Sequence, residues 1–110
     1  MAGTIFVTYE EGVALSSIVF DRLSDAIRCH FGAGERAVAA QVFWHHDEGG
    51  MSAISADGLR PDEFAAFARA VRGAHKEART ADDFSLYKEY WDELEGRIVM
   101  DPRYDSAAVP

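Results

Sequence analysis

The second half of the chain contains two successive stretches in which apolar residues recur every three or four positions. This spacing puts the apolar side chains on one face of a helix, and that face has to be buried. The stretches cover residues 61–79 and residues 80–99. Their apolar positions are Phe64, Phe67, Ala68, Val71, His75 and Ala78 in the first, and Phe84, Tyr87, Trp91, Leu94 and Ile98 in the second. Two helices packed on a common core are therefore predicted.

The first half of the chain predicts a small β-sheet. Residues 4–9 are rich in β-branched and aromatic side chains, which is typical of a strand. A helix is expected to begin at Ser16 or Ser17, and residues 37–45 are expected to form a second strand. A turn signal at residues 47–50 and a short strand at 51–56 complete a predicted hairpin. The result is an α+β fold in the order β-α-β-β-α-α, with helices packed on one face of a three-stranded sheet.

Length and charge describe a single acidic domain. A chain of 110 residues can bury one core without metal or disulfide support. We expect residues 1–105 to form the domain and residues 106–110 to form a flexible tail. Nineteen acidic and eleven basic residues give a net charge of -8, which disfavours nucleic acid and membrane surfaces and favours a basic protein partner. Without a signal-peptide pattern, a cytoplasmic location is the default expectation.

The four histidines are the residues with the most chemical potential. Strand alternation would point His45 and His46 to opposite faces, so the two cannot easily share one ion. His30 and His75 lie on the apolar faces of their helices and are expected to point inward. With His45 or His46 they could line the pocket of a small enzyme or ligand-binding domain. His30, His75 and His46 are the metal candidates, but no paired motif supports them, so neither metal nor cofactor is predicted.

Motifs for other kinds of catalysis are absent from the sequence. No GxSxG nucleophile elbow occurs. Cys29 lies near the C-terminal end of its predicted helix, where the helix dipole disfavours a thiolate. These absences favour a protein that is not an enzyme, without deciding the point.

Two features indicate a binding surface. The first is a basic stripe on the helix over residues 61–79, formed by Arg69, Arg72, Lys76 and Arg79. This stripe is either a partner site or a set of pairs with the acidic face of the following helix. The second feature is Phe43 and Trp44, which would face opposite sides of the predicted second strand. One of these two rings is therefore expected to be exposed, as aromatic residues at interfaces are.

The leading functional prediction is a non-catalytic protein-binding domain, such as an acidic inhibitor or an immunity-type protein acting on a basic partner. Phe43, Trp44 and the basic stripe are the predicted partner-binding residues. A second strand that is apolar on both sides, in a short open sheet, also predicts a homodimer. Two alternatives stay open, namely the domain with the histidine-lined pocket and a domain that mainly assembles with itself.

Overall fold

The chain begins with a β-hairpin. In the computed structural model, which describes residues 2–109, strands β1 (Ala2–Phe6) and β2 (Gly12–Ser16) pair antiparallel, with Ile5 opposite Val13. A third strand, β3 (Ala53–Ser55), pairs with β1 in parallel, so the sheet order is β2-β1-β3. The first strand of the chain is therefore the central strand of the sheet.

Helices make up most of the rest of the described chain. They are α1 (Ser17–Cys29), α2 (Arg36–Val42), α3 (Trp44–Asp47), α4 (Pro61–Ala78) and α5 (Lys88–Met100). Short 3₁₀ segments, Ala33–Glu35 and Phe84–Leu86, lead into α2 and α5. Within residues 2–109, no helix has the length and apolarity that crossing a bilayer requires.

The core lies between one face of the sheet and helices α1, α4 and α5. Ile5, Val13 and Ile54 project from the three strands onto this face, and all are fully buried. The helices contribute Phe20, Leu23, Ile27, Phe64, Phe67, Val71, Trp91, Leu94 and Ile98 to the same cluster. On the opposite face of the sheet, Phe6 is only partly buried and Ala14 is exposed. The predicted α+β class, a small three-stranded sheet with packed helices, is confirmed.

The predicted position of the second strand was wrong. Residues 37–45 form α2 and the start of α3, and the second strand is β2, which ends at Ser16, where a helix was predicted to begin. The hairpin is consequently made by the first two strands, and the predicted β-α-β-β-α-α order is replaced by β-β-α-α-α-β-α-α. A short apolar run suits a buried helix as well as a buried strand, so periodicity could not separate them. Val42, the last residue of α2, and Phe43, between α2 and α3, are both buried.

The last helix begins later than its apolar spacing indicates. Thr80 does not begin this helix, because its hydroxyl donates to the carbonyl of Glu77, 2.7 Å away, at the end of α4. Asp83 instead accepts from Arg22 of α1 at 2.8 Å. Helix α5 therefore starts at Lys88, although its predicted apolar positions Trp91, Leu94 and Ile98 are all buried.

The end of the chain folds back over the core. Val109, in the predicted flexible tail, is 1 % exposed. Arg103 bonds Asp101 through both carboxylate oxygens, each at 2.9 Å. The same guanidinium stacks 4.2 Å above the ring of Phe64. It also donates to three backbone carbonyls, those of Val7, Ala56 and Leu59. Burial alone would raise the pKa of Asp101, but the bonds from Arg103 prevail and hold it below its usual value.

Candidate partner-binding surfaces

The histidines do not come together. His75 is buried between the rings of Phe84 and Trp91, and its Nδ1 atom lies 3.2 Å from Glu95. His30 contacts a different side of α4, with its Nε2 atom 2.8 Å from Glu77. Because position 73, which the His30 ring covers, and position 75 lie about 200° apart around the helix, the two imidazoles point apart.

The other two histidines have surroundings of their own on α3. His45 makes an edge-to-face contact with Trp44, whereas His46 lies beside Asp47 and Phe20. The structure thus does not assemble the predicted histidine-lined pocket. In the part of the chain that the structure describes, no three side chains of the metal-binding types are grouped to hold an ion. The absence of a metal site remains a prediction.

Two residues of the basic stripe hold the end of the chain. Arg69 donates to Glu35 at 2.7 Å and to the carbonyl of Ala108 at 3.1 Å. Arg72 donates to the hydroxyl of Tyr104 at 3.1 Å and to the carbonyl of Val109 at 3.5 Å. Their partners are therefore the segment before α2 and the C-terminal segment, in place of the predicted acidic face of the last helix.

The remaining two cations of the stripe, Lys76 and Arg79, are exposed. Neither forms an ion pair with any residue between 2 and 109. All four basic side chains line one shallow depression beside Glu95. The stripe is thus one surface. Arg69 and Arg72 bind other parts of the chain, whereas Lys76 and Arg79 point to solvent without an ion pair among residues 2–109.

Phe43 and Trp44 differ sharply in exposure. The ring of Phe43 is 2 % exposed and lies beneath the guanidinium of Arg28, which is 4.0 Å from the ring centroid. The indole of Trp44 is 55 % exposed. One exposed ring of the pair was expected, but it is exposed from a helix and not from a strand. Of the two, only Trp44 is available to a partner.

A second group of exposed residues lies next to Trp44, and the sequence did not single it out. We call Tyr9, Trp44, His45 and Met51 the aromatic patch. Tyr9 is 74 % exposed and Met51 is 54 % exposed. They line a shallow depression of about 250 Å³, together with His45 of α3. The walls and floor of this depression also include Phe6, Ala53, Ser55 and Asp57. The sequence does contain a signal for these two exposed residues, because each lies next to a segment that favours a turn. Glu10-Glu11-Gly12 follows Tyr9, and Gly49-Gly50 precedes Met51.

Glycines fix the loop that carries Met51. Gly50 has a φ of 64°, a region that residues with a side chain rarely adopt. A Cβ atom on Gly49 would lie 2.7 Å from the carbonyl oxygen of His45, too close for any other residue. This tight turn lets the amide of Met51 donate to that carbonyl at 3.0 Å. Met51 is consequently held against α3.

An ion pair anchors α3 to the rest of the protein. Arg28 of α1 donates to both oxygens of Asp47, at 3.0 and 2.8 Å. These hydrogen bonds lower the pKa of Asp47 to about 2. The same guanidinium also stacks on the ring of Phe43, the residue just before α3. Arg28 therefore holds α3 at both ends, by stacking before its first residue and by an ion pair at its last.

Unpaired carboxylates surround the aromatic patch. Asp57 accepts a hydrogen bond from the backbone amide of Tyr9 at 3.3 Å. Glu10 follows Tyr9 directly, and Glu48 follows α3. Among residues 2–109, none of these three carboxylates forms an ion pair. The patch is therefore an apolar centre with negative charge at its margin.

A third concave surface lies between α1, α4 and the 3₁₀ segment Phe84–Leu86. Its volume is about 400 Å³, and it includes the exposed thiol of Cys29. The charged groups that line it are largely paired with each other, as Arg22 is with Asp83 and His30 is with Glu77. Such internal pairing leaves few groups for a ligand.

Comparison with known proteins assigns the class. No family model matches the chain. The immunity protein CdiI of Burkholderia pseudomallei is 30 % identical to it over 103 residues, which are 94 % of each protein. The fold also matches the solved complex of the CdiA-CT toxin of Burkholderia pseudomallei with its cognate CdiI immunity protein. That match has a TM-score of 0.90 and 29 % identity, and it covers 93 % of this chain and 98 % of that one.

The fold and these likenesses define an immunity protein, a class that acts by binding another protein and not by catalysis. The chain belongs to the CdiI immunity-protein family. The predicted function, a non-catalytic protein-binding domain of the immunity type, is confirmed.

Proposed function

We propose that this chain binds and neutralises the CdiA-CT toxin domain that is encoded with it. The observation that carries the proposal is the likeness over nearly the full length to a CdiI protein solved together with its cognate toxin. Identity near 30 % leaves room for extensive change on the surface while the core is kept. We therefore propose specificity for the chain's own toxin over that of the relative, because altered contacts or charges penalise a wrong partner.

Neutralisation by binding alone requires a substantial interface. A standard protein interface buries about 800 Å² on each partner. Since the accessible surface of this chain is 6337 Å², the toxin would cover about one-eighth of it. We therefore propose an interface that extends over a broad area around one of the surfaces described above.

A basic partner fits the distribution of charge. Several exposed carboxylates have no ion-pair partner among residues 2–109, namely Glu10, Asp21, Asp25, Glu48, Asp57, Asp82, Glu89 and Asp105. A surface of this kind attracts a positively charged protein and speeds its association. Of the predicted binding residues, Trp44, Lys76 and Arg79 stay candidates for contact, whereas Phe43, Arg69 and Arg72 serve contacts within the chain.

The proposal also bears on assembly and location. The predicted homodimer rested partly on residues 37–45 being a strand with two apolar faces, and these residues are helical. We accordingly propose a one-to-one complex with the toxin, and a homodimer stays a prediction that light scattering can test. A cytoplasmic site of action agrees with the free thiol of Cys29.

Co-expression tests the proposed function directly. The toxin domain encoded beside this chain is induced in bacterial cells with and without the chain, and the control cells carry the CdiI relative from Burkholderia pseudomallei. Growth rescue by this chain alone is expected, as is a complex of the two purified proteins in size-exclusion chromatography. Absence of both rescue and complex would refute the proposal.

A further inference from the structure

We infer that the aromatic patch, with Glu10, Glu48 and Asp57 around it, is the surface that docks a basic face of the toxin domain. This inference rests on the proposed function and adds to it the place and the chemistry of the contact.

Exposure of large apolar side chains is the first argument. Tyr9, Trp44 and Met51 are each more than half exposed, and all three belong to one continuous patch through His45. Aromatic residues and methionine are enriched at protein interfaces, and a few such residues supply most of the binding energy. Other large apolar side chains are also more than half exposed, but they lie outside this patch, in α1, in the 3₁₀ segment before α5 and at the end of α5: Ile18, Leu86, Val99 and Met100.

Rigidity is the second argument. The turn at Gly49 and Gly50 holds Met51 against α3, and the pair between Arg28 and Asp47 holds α3 against α1. An interface whose backbone is already ordered loses less conformational freedom on binding. The backbone of the patch is therefore already ordered before a partner binds, even though the patch lies on loops and on a helix of one turn.

Charge identifies the partner. Carboxylates without ion pairs at the margin of an apolar centre match the usual anatomy of an interface, in which a polar rim surrounds a dry core. Lysine or arginine side chains on the toxin would pair with Glu10, Glu48 and Asp57. The depression at Lys76 and Arg79 carries positive charge and offers no such pairs to a basic partner.

Truncation of the apolar centre gives the first test. Affinity for the purified toxin domain is measured by calorimetry for the unmodified chain and for the Tyr9→Ala and Met51→Ala variants. Each variant is expected to weaken binding at least tenfold, since central interface residues commonly have effects of this size. The matched control is Leu86→Ala, which removes an equally exposed side chain outside the patch and should change affinity less than threefold. Melting curves confirm that all variants fold.

Charge reversal gives the second test. Glu48→Lys should slow association and weaken binding, and the loss should shrink as salt is raised from 50 to about 500 mM because salt screens the charges. Glu89→Lys is the matched control, because Glu89 is also exposed and also lacks an ion pair among residues 2–109. It should leave the association rate within twofold of the parent.

The possible outcomes separate the two proposals. Binding by the parent and equally tight binding by all patch variants would overturn the docking surface and leave the toxin-binding function intact. Loss of binding in Lys76→Glu with intact binding in the patch variants would move the interface to the basic depression. A self-associated species that Tyr9→Ala dissolves would assign the patch to a second copy and overturn the inference. Failure of the unmodified chain to bind would reject both proposals.

Discussion

The imidazole of His75 and the indole of Trp91 lie parallel in an offset stack, with their planes 6° apart and their centroids 5.5 Å apart. This contact joins α4 to α5 in the interior, where both side chains are almost completely buried. The ring of Phe84 covers the imidazole at 5.8 Å. The C-terminal helix is therefore attached to the core through a stack of three rings.

Removal of the indole of Trp91 should strongly destabilise the packing of α5 on the core. Truncation of a buried tryptophan typically costs about 3–5 kcal/mol. We expect Trp91→Ala to lower the free energy of unfolding by about that amount, since Trp91 is 1 % exposed and contacts the core. Urea denaturation followed by circular dichroism provides the measurement. A midpoint equal to that of the parent would mean that α5 contributes little to the stability of the domain.

Substitution of the imidazole of His75 should raise the stability of the folded state, whereas removal of the indole lowers it. Both ring nitrogens of His75 are buried and lack a partner with hydrogen-bond geometry among residues 2–109, although Glu95 is 3.2 Å away. A buried polar group without a hydrogen bond costs about 1–3 kcal/mol. His75→Phe keeps the stack and removes these nitrogens, so we expect a higher melting temperature at neutral pH. A lower one would show that the contact with Glu95 is attractive. Leu94→Phe is a control for added bulk in the same helix pair.

Acid should weaken the anchor of α3. The hydrogen bonds from Arg28 lower the pKa of Asp47 from 3.8 to about 2. A carboxyl with a lowered pKa in the folded state stabilises that state above its unfolded pKa, and the stabilisation is lost as the pH falls towards the folded value. The loss from this pair is therefore expected between about pH 4 and pH 2. The difference in melting temperature between the parent and Arg28→Ala should be larger at pH 6 and shrink in this window, and the part that remains comes from the lost stacking of Arg28 on Phe43. A constant difference down to pH 2 would contradict the assignment.

Reversal of two stripe cations should affect the end of the chain more than toxin binding. Arg72 holds Tyr104 and the carbonyl of Val109, whereas Lys76 has no ion pair in the described chain. We expect the double variant Arg72→Glu and Lys76→Glu to lose about 1 kcal/mol of stability, in the range typical of exposed contacts. Lys76→Glu alone should stay within about 0.5 kcal/mol of the parent. Both should bind toxin like the parent, and a folded double variant without binding would instead make the stripe an interface.

Local sequence signals predicted some elements closely. The apolar spacing over residues 61–79 predicted nearly the observed helix, α4 (Pro61–Ala78), which begins with a proline and two acidic residues as helices often do. Residues 12–16 carry the alternation of a strand, with Val13 and Leu15 buried and Ala14 and Ser16 exposed, but this signal was not used and no strand was predicted there. The strand predicted over residues 37–45 was wrong because an apolar segment of that length fits a helix as well as a strand until the partners in the sheet are known.

The candidate surface was harder to predict because it is assembled by tertiary pairing. Trp44 was found from the expectation that one of two adjacent rings must be exposed. Tyr9 and Met51 lie more than forty positions apart, and they meet because β3 pairs in parallel with β1. No local pattern gives that register. The role of Arg103 is similar, since its bond to the carbonyl of Val7 spans 96 residues.

That same guanidinium has a consequence for biosynthesis. Arg103 donates to the carbonyls of Val7 just after β1, of Ala56 just after β3 and of Leu59 in the turn before α4. These hydrogen bonds cannot form until the chain has been translated beyond residue 103. Contacts of such long range also form late during folding, because a large loop must close first. A chain that is truncated or stalled before residue 103 would therefore leave these three carbonyls without the donor that joins them.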